Sequence, residues 1–165
     1  MSQSFDPESD VQLLNSDEPI ICSEQLALSV GFVGLDSWMK FVEKTYGHTV
    51  YRLQTRNETE ITGLLALAHV EHPLFGNYLA TAPFGSYGGF AYTSMNAQRA
   101  LLNSARVLSQ ELGVEYINIR FSGGELIPPD GWIQNPLETF DHCVHKTPPQ
   151  RKSDKTGNPA SCKSG

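Results

Sequence analysis

Residues 74–90, LFGNYLATAPFGSYGGF, constrain the fold more than any other stretch. An extended apolar run reaches Pro83, a loop with Gly85, Gly88 and Gly89 follows, and helix-forming sequence comes next. Glycine has no Cβ, so such a loop lets main-chain N–H groups point outward and lets a ligand approach the backbone. A strand, a glycine loop and a helix N-terminus in that order make a common seat for an anionic or polar ligand. A tight turn between strand and helix needs glycines too, so the loop carries a structural reading beside the functional one.

The helix after the loop is the clearest element. Ser94 is placed to cap it. Ala97, Leu101, Ala105, Leu108 and Leu112 share one face, and Gly113 suits the position just past its end. VEYINIRF at 114–121 alternates and predicts a strand packed against that helix. Upstream, Asp36 is placed to cap a helix over 37–46, with Trp38, Phe41, Val42 and Thr45 on one face. HTVYRLQT at 48–55 and ITGLLALAHV at 61–70 predict a hairpin, the second strand apolar enough to be covered on both sides. A third strand is expected near 78–82, a loop carrying Trp132 over 125–138, and a last edge strand over 139–144. The run IICSEQLALSVGFV at 20–33 has no clear period. This order predicts an α/β (α+β) domain in which helices cover a mixed sheet.

At 165 residues the chain holds one domain with a real core. Five basic residues against one acidic residue from Lys146 onward leave +4 there and −10 for residues 1–145. A core this acidic is unsuited to nucleic acid. The basic tail reads as a solvated end. Cys22, Cys143 and Cys162 form no CxxC pair, which fits reduced thiols in the cytoplasm. MSQSFDPESD lacks an apolar signal region, and no apolar run is long enough to span a membrane.

Taken together, Trp38 in its short helix, the strand pair with Gly63, LFG at 74–76, APFGSYGG at 82–89, the long helix and YINIR at 116–120 resemble the first half of FemAB-like proteins. These belong to the GNAT-like acyltransferase superfamily. The resemblance runs from about Ser37 to Phe121. It implies a GNAT-like domain over 20–145, between a mobile polar segment at 1–19 and a disordered basic tail at 146–165. The family pairs two such domains and transfers an acyl or aminoacyl group to an amine. Its best-known members build peptidoglycan cross-bridges, and relatives accompany other cell-envelope systems. The second domain, which helps form the donor site, has no counterpart here. A flank built to face it should expose an apolar patch and favour a homodimer. In this reading Ser86, Tyr87, Gly88, Gly89 and Arg120 line an acceptor-substrate cleft, with Tyr87 able to hydrogen-bond a carbonyl or amine. The loop lacks the leading Arg or Gln of acetyl-CoA enzymes, so no cofactor is assigned, and no catalytic residue is named.

Alternatives stay open at this level. Arg120 in a central strand either pairs with an internal carboxylate such as Glu115 or Glu71, or reaches a ligand. His69 with His72, and His142 with His145, sit three apart, which places strand residues on opposite faces and argues against a metal site. Cys143 reads as a small buried residue. Two function classes therefore remain: an acyltransferase-family domain that positions an amine acceptor, and a non-catalytic module that binds a cell-envelope precursor, a peptide or a partner protein.

Overall fold

The strand Ile61–His72, β3, organises the architecture. Leu64, Ala66 and Ala68 face one side of it and Leu65 and Leu67 the other, and all five are buried. That double cover is what its apolar run predicts. The computed structural model describes residues 10–14, 18–85, 87–121, 127–136 and 141–147. Along one edge of β3 runs β2, Thr49–Arg56, antiparallel as the hairpin pattern requires. Asn57 holds their turn, its Oδ1 accepting from the N–H groups of Thr59 and Glu60 at 3.0 and 2.7 Å.

On its other edge β3 has two successive partners. Val70 and its neighbours pair with β4, Gly76–Ala80, while Gly63–Leu65 pair with the short β5, Phe90–Tyr92. The glycine loop crosses between them. The whole sheet runs β1 (Asp10–Leu14), β2, β3, β4, β6 (Tyr116–Phe121), β8 (Asp141–Lys146), β7 (Trp132–Pro136). Among the described pairs only β4 and β6 are parallel. Parallel neighbours need a long crossover, which β5 and the helix Met95–Leu112, α3, supply.

The sheet is wider than the sequence pattern foretells. Asp10–Leu14, inside the segment expected to be mobile, pair residue for residue with β2. Gln12 Oε1 accepts from Gln54 Nε2 at 3.1 Å, and Val11 packs against the core. This strand covers backbone groups that β2 would otherwise present at an open edge. Trp132 lies in a strand rather than a loop and joins the main core. β8 is not the edge, because β7 pairs beyond it. The tail expected to be disordered from 146 begins in the sheet, since Lys146 ends β8 and Thr147 N–H donates to the Glu115 carbonyl at 2.9 Å; residues 148–165 lie outside the described residues.

Two layers cover the sheet. On one face α3 brings Leu101, Leu102 and Ala105 against Leu53, Leu65, Leu79, Ile117 and Phe121. Ser94 Oγ accepts from Ala97 N–H at 3.2 Å, and Gly113 closes the helix at φ 65°. The helix comes so near β3 that a Cβ at Gly63 would lie 2.8 Å from Leu101 Cδ1. On the opposite face sit α1, Glu24–Val30, a 3₁₀ turn at Phe32–Gly34, and α2, Asp36–Tyr46. Leu35, not Asp36, holds the cap position of α2, and no side chain caps it. This helix buries Met39 and Val42 over Val50, Ala66 and Ala68, which turns Phe41 out to solvent.

Leu101→Ala should lower unfolding free energy by about 2–5 kcal/mol through lost burial and a cavity. Val107→Ala, at an exposed position of the same helix, should move it by less than about 0.5 kcal/mol. Urea unfolding decides; equal losses would contradict the assigned inward face.

Candidate functional site

The glycine loop fills the place where β4 and β6 part. Their parallel ladder ends at Ala80 and Asn118. Thr81 N–H then donates to the Asn118 carbonyl at 3.0 Å, and Arg120 N–H donates to Thr81 Oγ1 at 2.8 Å. Gly88 N–H donates to the Arg120 carbonyl at 2.9 Å. Gly89 N–H donates to the Val30 carbonyl at 2.7 Å, and its own carbonyl accepts from Ala66 N–H at 2.7 Å. The N–H groups of Gly88 and Gly89 are thus engaged inside the fold rather than turned to a cleft. Steric demand explains the glycines. Gly88 has φ 121°, and a Cβ there would lie 2.3 Å from Val33 Cγ2. A Cβ at Gly34 would lie 2.9 Å from Gly89 Cα.

The other predicted residues divide. Ser86 lies outside the described residues. Tyr87 is exposed. Arg120 pairs with neither Glu115 nor Glu71. Glu115 instead stands at the start of β4, its Oε1 accepting from Asn77 N–H at 3.3 Å. Arg120 Nη1 reaches the loop and donates to the Gly85 carbonyl at 3.4 Å, and its buried Nε has no hydrogen-bond partner among the described residues. His69 Nε2 meets Asn77 Oδ1 at 2.6 Å, while His72 Nδ1 accepts from Leu74 N–H. The side chains of His142 and Cys143 lie outside the described residues.

A recess of about 500 Å³ opens on the α1 and α2 face. Ile20, Ile21 and Cys22 form one side, Ala27 and Val30 of α1 another, and Leu64 of β3 contributes from beneath. Gly34, Leu35, Asp36 and Ser37, at the entry to α2, complete it. The glycine loop braces this wall from behind, through its bond to Val30 and its contact with Gly34. Burial pushes the Cys22 thiol pKa up, partly offset by a backbone hydrogen bond. Behind Asp36 stands Arg52 of β2, only 1% exposed. Its Nε lies 3.4 Å from Asp36 Oδ1 and its Nη2 3.7 Å from Glu43 Oε2.

Sequence reasoning missed this group. Arg52, like Arg120 a cation in a covered strand, is the more deeply buried of the two. The signal was present in Asp36 and Glu43, seven apart and hence on one side of a helix.

An aromatic ledge, exposed except at half-buried Trp38, runs from the 3₁₀ turn along α2 to the glycine loop. Phe32, Trp38, Phe41, Tyr46 and Phe84 follow one another with ring centroids 4.2–6.0 Å apart. Phe84 holds a left-handed backbone at φ 63°, costly for a bulky residue. His48 stacks beside Tyr46 and Phe84. Burial, and then the charge of His69, hold its imidazole below the usual pKa of 6.5.

No protein-family model matches the chain, and no curated protein matches it. Among the described residues no helix is long and apolar enough to cross a membrane, and no group of three or more metal-binding side chains gathers.

Two measurements check this geometry. Gly88→Ala should destabilise the protein by more than about 2 kcal/mol, since it adds overpacking to a strained φ. Gly113→Ala, with open space around it, should cost about 1 kcal/mol. Similar losses would deny the close packing of the loop. For His48, the unfolded chain takes up a proton more readily than the folded one. Stability is therefore full above about pH 6.5 and falls as pH drops through the window below it. His48→Gln should flatten that fall in urea midpoints between about pH 7 and pH 5; an unaltered slope would assign it to other groups.

Proposed function

We propose that this chain is a ligand-binding module, non-catalytic by itself, with the recess ahead of α2 as its site. One observation carries the reading. A mostly apolar hollow of about 500 Å³ falls within the size of small-molecule sites, roughly 300–1,000 Å³. Its wall rests on a loop whose glycine N–H groups already have internal partners. The resemblance to the first half of FemAB-like proteins supports the same role. In that setting the module works in the cytoplasm and presents a cell-envelope precursor or peptide-like molecule to a partner that completes the machinery. The ledge of Phe32, Phe41, Tyr46 and Phe84 supplies the exposed apolar patch that such a partner, or a second copy of the chain, would cover.

A second reading, acyl transfer with an amine acceptor, is favoured by Arg120. Its guanidinium lies against the glycine loop with Nε unpartnered among the described residues. Beside Tyr87 it would polarise an acyl carbonyl while the acceptor amine attacks, the protein acting mainly by alignment and charge.

A thermal-shift screen with amino-sugar and peptide fragments, coenzyme A and acyl donors separates the two. A ligand present at about 100 times its Kd adds about 2.7 kcal/mol of stability. Stabilisation by the fragments without turnover is the expected result. Turnover with an acyl or aminoacyl donor would move the assignment to the second reading. No stabilisation and no turnover would dispose of both.

A further inference from the structure

We propose that the recess ahead of α2 selects a molecule with an apolar body and a positively charged amine at one end, and that Asp36 receives the amine. This rests on the recess being the binding site, and goes beyond it by stating the chemistry.

The walls set the body of the ligand. Ile20, Ile21, Ala27, Val30 and Leu64 offer apolar contact and no charge. Cys22 adds none, because a thiol is protonated at neutral pH and burial pushes its pKa further up. Ile21 is 80% exposed at the rim, so apolar surface is waiting for cover there. The head group must therefore be recognised at the α2 end, where Asp36 and Ser37 are the polar side chains.

The charge at that end is unbalanced. Asp36 and Glu43 both face the single guanidinium of Arg52, at 3.4 and 3.7 Å. Neither contact is a hydrogen bond, and Asp36 Oδ1 is shut off from solvent with no donor among the described residues. Asp36 and Glu43 share that one buried guanidinium, so Arg52 does not neutralise both. The N-terminus of α2 adds only a partial positive charge there, and Asp36 is the one charged side chain among the residues that line the recess. Asp36 keeps about a quarter of its side chain accessible, 27%, whereas Arg52 is sealed at 1%. An arriving head group thus meets the acid and not the base. An ammonium gains an acceptor of opposite charge. A carboxylate would approach Asp36 as a like charge.

Calorimetric titration of the full chain at pH 7 and low salt tests this, with octylamine, octanol and octanoate as probes below their micelle concentrations. Octylamine should bind about tenfold more tightly than octanol, with octanoate weakest. Asp36→Asn should bring octylamine down to the level of octanol. Ala27→Phe, which fills the recess without altering charge, should abolish binding of all three and covers the case in which Asp36→Asn fails to fold. Octanol equal to octylamine, or octanoate ahead of both, would overturn the inference and leave the recess as the site. Octylamine still bound by Ala27→Phe would place it elsewhere and overturn the inference. If no probe binds, the inference and the recess reading fall together.

Discussion

The gap between β4 and β6 is closed by main chain from the loop that joins β4 to β5. Thr81 continues the ladder where Ala80 and Asn118 stop pairing, and Gly88 takes the carbonyl of Arg120. One residue further, Gly89 ties the loop to Val30 of α1 and to Ala66 of β3. A single short segment therefore links the centre of the sheet, its diverging pair and the first helix. A side chain at Gly88 would strike Val33, and one at Gly34 would strike Gly89. The position of α1 and the 3₁₀ turn, and hence the shape of the recess they line, follows from that closure.

Arg52 is the second constraint on that face. A sealed guanidinium needs opposite charge nearby, and α2 supplies Asp36 at its start and Glu43 two turns later. The helix is thereby held in register over β2 by charge as well as by Met39 and Val42. The same pairing leaves Asp36 at the wall of the recess. In the proposed binding role structure and recognition would share that residue, so a substitution at Asp36 also touches the packing beneath it.

Legibility varied with the kind of signal. Ser94, the apolar face of α3 and Gly113 were readable because helix caps and helix periodicity are local. The hairpin of β2 and β3 was readable from β-rich runs around a polar turn. β1 was not, since a five-residue strand in a polar, acidic context is stabilised by the edge it covers and not by its own pattern. β7 was obscured by Pro128 and Pro129 before it and Pro136 at its end, yet Trp132 had reason to be buried. The glycine loop stood out in the sequence. Its packing role was not readable, because close approach to Val33 and Gly34 depends on a segment 55 residues earlier in the chain.

The amino-acid order by itself determined a layered domain of helices on a mixed sheet, with the long helix and its strand in place, because periodicity and capping act over a few residues. Only the tertiary structure decided where the recess lies. The recess draws on residues 20–22, α1, the entry to α2 and Leu64, and the charge at its end depends on Arg52 from a different strand. Such a site is a product of long-range contacts, and no spacing along the chain encodes it.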